Sequence, residues 1–84
     1  MLSKMEFTVY VLYSDSADKL YIGFTSNLDE RMKSHNELGS DWTKSYRPWR
    51  IIHTEKYLDK KEAMQREKSL KEGQGRKWIR DNFL

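Results

Sequence analysis

Glu67 is a carboxylate in an apolar place. In the helix predicted after Asp59 it lies four residues past Ala63 and three before Leu70, inside the stripe that should face a core. A carboxylate there is costly unless it is paired or binds a metal ion. The pattern therefore allows a metal ligand or an ion pair with a nearby Lys or Arg. Arg31 and His35, spaced i, i+4 on an earlier predicted helix, set a cation and an imidazole on one flank. Such an arginine can stabilise charge developing on a phosphate, or it can snorkel into a local salt bridge. Taken alone, His35 reads as an edge-of-core histidine. Tyr10 and Tyr21 fall on two adjacent predicted strands whose pairing would bring the rings near one another on one face. A tyrosine hydroxyl can orient or deprotonate a water if something lowers its pKa from about 10. The alternative is two core aromatics with satisfied hydroxyls.

The elements that would hold these residues are readable from periodicity. Phe7, Val9, Val11 and Tyr13 point one way, and Thr8, Tyr10 and Leu12 the other, which is strand alternation over Phe7 to Ser14. A polar turn at 15–19 leads to a second strand from Leu20 to Thr25, giving an antiparallel hairpin. Apolar and aromatic residues on both faces call for helices over at least one side. Asn27 and Glu30 form a capping pair for the first helix. Leu28, Met32 and His35 make its inward stripe to about Asn36, and Gly39 helps to end it. Residues 40–48 read as an irregular loop. A third strand from Trp49 to Tyr57 follows, its adjacent Ile51 and Ile52 implying burial on both faces. Asp59 to Glu62 caps a second helix with Ala63, Met64, Leu70 and Lys71 at helical spacing. Gly73-Gln74-Gly75 is expected to break it before a short helix from Arg76 to Phe83, which tucks Trp78, Ile79 and Phe83 against the body.

The chain has 84 residues, room for one domain spanning 1–84. With 37% hydrophobic and 13% aromatic residues, large rings must supply much of a small core. The absence of cysteine excludes disulfides and thiolate metal sites, and two histidines cannot build a standard structural zinc site. No segment approaches a membrane span, and the N-terminal residues lack the apolar core of a signal peptide, so a cytoplasmic protein without membrane association is expected. Neither a P-loop nor a GxGxxG turn is present. The charge is uneven. Residues 1–42 hold four basic and seven acidic side chains (net −3), and residues 43–84 hold twelve and six (net +6). A basic second half suits a polyanion, although a solvated charged surface explains it too.

Thr8-Val9-Tyr10, ten intervening residues and Tyr21-Ile22-Gly23 together resemble the paired signature of the GIY-YIG nuclease superfamily. The likeness continues through Thr25, Asn27-Leu28, Arg31 and His35 to Ala63-Met64-Gln65-Arg66-Glu67. Tyr46-Arg47-Pro48-Trp49 and the run from Arg66 to Lys71 look like the small stand-alone bacterial branch, related to the N-terminal nuclease domain of the bacterial excinuclease. The resemblance implies an α+β fold, a small three-stranded antiparallel β-sheet flanked by helices. It also implies a metal-dependent endonuclease that hydrolyses nucleic-acid phosphodiesters, DNA rather than RNA, in repair or recombination.

Carried over from that family, Glu67 would ligate a single Mg²⁺ or Mn²⁺, and Arg31 would bind the non-bridging phosphate oxygens. Tyr10 or Tyr21 would position or deprotonate the attacking water, and His35 would support Tyr10 or assist proton transfer. Gly23 would permit close approach beside the site, and Thr25 would link strand to helix. Lys44, Arg47, Arg50, Lys68, Lys71, Arg76 and Lys77 are candidate nucleic-acid contacts, with Trp42 and Tyr46 able to stack on an unpaired base. Two departures stand out: the first motif lacks its glycine, and Phe24 stands where some active members carry lysine. Asn82 does not align with the late asparagine of some members. With no appended binding domain, specificity would come from the basic surface or from a protein partner. The alternatives are a nucleic-acid-binding module of the same fold with little or no hydrolysis, and a partner-recruited interaction domain.

Overall fold

The computed structural model describes residues 5–38 and 42–84, with the side chains of Leu38 and Trp42 outside the description. Gly39, expected to end the first helix, and the stacking role given to Trp42 therefore lie outside it. Strands β1 (Phe7–Ser14) and β2 (Lys19–Thr25) form the hairpin, and β3 (Arg50–Tyr57) pairs on the other side of β1. All pairs are antiparallel and the order is β2-β1-β3, so the most apolar strand is central. Helix α1 (Leu28–Lys33) follows β2, and α2 (Lys60–Lys71) and α3 (Gly73–Phe83) follow β3. The result is the expected α+β fold.

The alternation along β1 divides the core in two. Val9 and Val11 join Leu20, Ile22, Ala63, Leu70 and Ile79 in an aliphatic cluster beneath α2 and α3. Tyr10 and Leu12 join Trp49 on the opposite face, flanked by Tyr21, Leu28, Met32 and Tyr46. Asn27 caps α1 by accepting the Glu30 amide at 3.1 Å, while Glu30 reaches back to the Asn27 side-chain amide rather than to its backbone. Asp59 caps α2 through the Lys61 amide at 2.9 Å.

Four local expectations are corrected. Helix α1 does not run regularly to Asn36. It ends at Lys33 and widens into a π-helical turn, Ser34–Leu38. Arg47 donates to the carbonyls of His35 (2.5 Å) and Ser34 (3.1 Å) there, supplying donors from outside the helix. The loop before β3 contains a 3₁₀ turn, Trp42–Tyr46. Ile51 and Ile52 are not buried on two faces: β3 is an edge strand, and Ile51 is 42% exposed. Val11 lies opposite His53 and Leu12 opposite Ile51, so Ile52 is the extra residue of a β-bulge. The break between α2 and α3 falls at Glu72, and Gly73-Gln74-Gly75 forms the first turn of α3. A Cβ on Gly75 would lie 2.3 Å from the Ser69 carbonyl oxygen, so this glycine lets α3 start directly against α2. Ile79 is buried as expected. Trp78 and Phe83 remain over a third exposed, packed on each other and on His53.

Candidate active site

The site begins with a missing side chain. Gly23 lies opposite Tyr10 across the β1–β2 ladder, and the Tyr10 ring lies over it. A Cβ on Gly23 would stand 2.7 Å from the Tyr10 hydroxyl and 3.1 Å from the Tyr21 ring. The glycine therefore makes room for a side chain rather than for close backbone approach. Tyr21, two residues before Gly23, shares this face with Tyr10. Their centroids are 6.1 Å apart and the rings nearly parallel at 20°.

The π turn delivers His35 to the same place. Its Nε2 lies 3.1 Å from the Tyr10 hydroxyl and its Nδ1 3.4 Å from the Thr43 hydroxyl. A hydroxyl thus stands at each ring nitrogen, and a neutral imidazole has a partner for its proton and its lone pair in either tautomer. Tyr21 meets the His35 ring edge-on at 4.5 Å, and Trp49 closes the wall at 6.2 Å from Tyr21. Tyr10, His35, Thr43 and Trp49 are buried, whereas Tyr21 is half-buried and Arg31 exposed.

Burial dominates the ionisation of Tyr10 and pushes its pKa up to about 12, despite a lowering contribution from Arg31 beside its hydroxyl. Tyr10 is therefore a neutral phenol near pH 7. The guanidinium of Arg31 lies beside Tyr10 and, more weakly coupled, Tyr21, and is held still more firmly in its charged form. The arrangement places a permanent cation and a half-buried tyrosine beside a buried Tyr-His-Thr chain.

Glu67 reaches the sheet from the other face. Arg66 forks onto Glu55 of β3 at 2.8 and 3.0 Å. One residue on, about 100° round the helix, Glu67 lies on the other side of the buried Ala63–Leu70 line, toward β2. It is half-buried and pairs with Lys71 at 3.5 Å. Among the described residues no three His, Cys, Asp or Glu side chains cluster as a metal centre. A Mg²⁺-type ion needs only one or two carboxylates when waters and a substrate phosphate complete its shell, so the lone Glu67 is a compatible donor set.

Residues 6–79 match the family described as the GIY-YIG catalytic domain. The chain belongs to that family. Relatives of this GIY-YIG domain include a UPF0213 protein of Bacillus velezensis, 41% identical over 64 residues, 75% of this chain and 64% of that protein. The chain thus matches just under two-thirds of that relative's length. A UPF0213 protein of Natronomonas pharaonis is 39% identical over 75% of this chain and 74% of its own. The solution NMR structure of the UPF0213 protein BH0048 from Bacillus halodurans superposes with a TM-score of 0.57 at 28% identity, covering 92% of this chain and 84% of that one. The GIY-YIG assignment places the chain in a nuclease family.

Within this GIY-YIG domain the structure gathers Tyr10, Tyr21, Gly23, Arg31 and His35, and leaves Glu67 on a separate helix. The Thr25 hydroxyl accepts from the Asn27 amide at 3.0 Å, tying β2 to α1. The expected nucleic-acid contacts are dispersed. Lys44 and Lys68 are exposed, Arg50 pairs with Asp15, Lys71 with Glu67 and Lys77 with Asp81. Arg76 donates to the Lys71 carbonyl, and Arg47 serves the π turn. Sequence reasoning missed Thr43 and Trp49 as site residues. Trp49 Nε1 donates to the Thr43 carbonyl, and its backbone amide donates to Asn36. These partners are 6 and 13 residues away in a turn-rich segment, where no periodicity signals them. No helix among the described residues is long and apolar enough to cross a membrane.

Proposed function

We propose that the domain is a metal-dependent endonuclease that hydrolyses DNA phosphodiester bonds, with a role in repair or recombination in the cytoplasm. The observation that carries this reading is the convergence of Tyr10, Tyr21, Arg31 and His35 over Gly23 on one face of the sheet. Arg31 binds the non-bridging oxygens and opposes charge as it builds on the phosphate. Tyr21, the half-buried member of the tyrosine pair, positions the attacking water. Tyr10 is buried and protonated, so it does not act as the base. It holds His35, and His35 holds the Tyr21 ring. Glu67, released from Lys71, would hold the Mg²⁺ or Mn²⁺, which would polarise the phosphate and stabilise the leaving oxygen. Substrate specificity would come from the domain's own basic surface or from a protein partner.

Purified protein incubated with labelled single-stranded, duplex and branched DNA, with Mg²⁺, Mn²⁺ or EDTA, tests this. Cleavage should need the metal and be lost in Glu67→Gln and Arg31→Ala. DNA binding by the wild type with no cleavage under any condition would replace this reading with a binding module of the same fold. One observation favours that second reading. Phe24 packs against the aliphatic cluster, on the side of β2 from which Glu67 approaches, and so no cation is supplied at that position.

A further inference from the structure

Asp18, Lys19, Leu20, Tyr46, Arg76 and Arg80 line an open cleft of about 360 Å³ at the start of β2. The cleft lies at the free edge of the sheet, with the ring of Tyr46 on one wall and two arginines of α3 on another. Lys19 Nζ lies over the Tyr46 ring, 5.4 Å from its centre, so a base stacking there would take the place of the ammonium as it turns to the phosphate. Arg80 is anchored on the Asp18 carboxylate at 2.9 Å, and Arg76 uses its Nε on the Lys71 carbonyl, which leaves the rest of its fork. Three cations against one carboxylate leave the cleft at net +2.

We propose that this cleft is a second subsite that seats one unpaired nucleotide of a single strand, its phosphate between Lys19 and Arg76 and its base on Tyr46. The size is that of a small-ligand site. An aromatic wall beside clustered cations is the arrangement that takes a stacked base and its phosphate, and only an unpaired base offers its face to a ring in this way. The cleft adjoins the tyrosine cluster on the same face of β2. Lys19 and Tyr21 are two residues apart, about 7 Å at ~3.3 Å per residue. That is about two nucleotides of a stacked strand at ~3.4 Å each. The inference rests on the nuclease reading only for its claim that the strand continues to the phosphate that is cut.

Binding of a labelled oligothymidylate is measured by fluorescence anisotropy in EDTA across a salt series, so that nothing is cut. The wild type should bind single strand better than duplex. Lys19→Ala and Arg76→Ala should each lower the slope of log affinity against log salt by about 0.7. Tyr46→Ala should weaken binding about tenfold and leave that slope unchanged, while Lys60→Ala, on an exposed lysine at the start of α2, should match the wild type. Because Tyr46 packs on Trp49, the exposed charge reversals Lys19→Glu and Arg76→Glu are measured beside it, with thermal melts showing that each variant folds. Cleft variants that bind as the wild type does, or wild-type preference for duplex, would overturn the subsite even if cleavage is observed. Binding with the expected slopes but no metal-dependent cleavage would remove the hydrolytic reading and leave the subsite standing.

Discussion

The two faces of the sheet are built from neighbouring residues of the same strand and serve different ends. Beneath α2 and α3, Val9, Val11, Ile22, Leu70 and Ile79 meet as aliphatic side chains with no polar atoms to satisfy. Across the sheet, Tyr10 and Tyr21 meet His35, Thr43 and Trp49, and each buried polar group needs a partner of its own. Among the described residues, no buried side-chain polar atom lacks one. The first face tolerates changes of shape that preserve volume. The second needs defined positions, because a hydrogen bond or a ring contact is lost by a shift that an aliphatic core absorbs. Period-two alternation lets one strand supply both faces.

The largest expected effects separate the two faces directly. Arg31→Ala should reduce cleavage by about 10²–10³-fold with little change in melting temperature. Leu70→Ala should lose about 2–5 kcal/mol of stability while the folded fraction cuts at the wild-type rate. A folded Leu70→Ala protein with abolished cleavage would break the division. Tyr21→Phe should lower cleavage about 10²-fold and barely move stability. Tyr10→Phe should destabilise by about 1–3 kcal/mol, because it takes a partner from buried His35. Equal kinetic losses in both variants would show that the buried tyrosine also takes part in the reaction.

Gly23→Ala probes the contact from the backbone. Its Cβ would lie inside the Tyr10 ring's contact distance, so a loss of about 1–3 kcal/mol is expected together with slower cleavage. Wild-type melting and rate would show that the ring moves aside freely.

The smallest effects are in pH. Burial alone would raise the Glu55 pKa, but bonds from Arg66, His53 and Tyr57 lower it from 4.5 to about 2. This stabilisation, on the order of 2 kcal/mol, is full above pH about 4.5 and is lost as pH falls toward 2. Glu55→Gln should flatten that acid limb in melting experiments. Tyr10 acts with the opposite sign. Its raised pKa contributes stability that is full below pH about 10 and is lost as pH rises toward 12. Tyr10→Phe should flatten the alkaline limb and leave the acid one alone.

Much of this division was legible in the sequence. The alternation over Phe7 to Ser14 assigned every core residue of β1 to its face, and Asn27 and Asp59 marked the helix starts. Glu67 stands out by spacing alone as a carboxylate within an apolar stripe. What escaped depends on partners distant in sequence. Ile51 and Ile52 read as a doubly buried pair because adjacent apolar residues look alike in a central strand and in a bulge. Only pairing with Val11 and Leu12 tells them apart. The π turn is bonded by Arg47, 12 and 13 residues away from the carbonyls that accept from it. Gly73-Gln74-Gly75 reads as a break on propensity, but the closeness of α3 to α2 selects glycine at position 75.

The bulge at Ile52 also bears on how molecules of this protein avoid one another. An edge strand displays unpaired amides and carbonyls on which a second molecule can add a strand and begin a fibre. In β3 the extra residue interrupts the spacing of those groups and increases the local twist. An incoming strand that matches the segment ending at Ile51 is out of step with the one beginning at His53. The irregularity thus serves as a guard against edge-to-edge aggregation, at the edge of the sheet remote from β2.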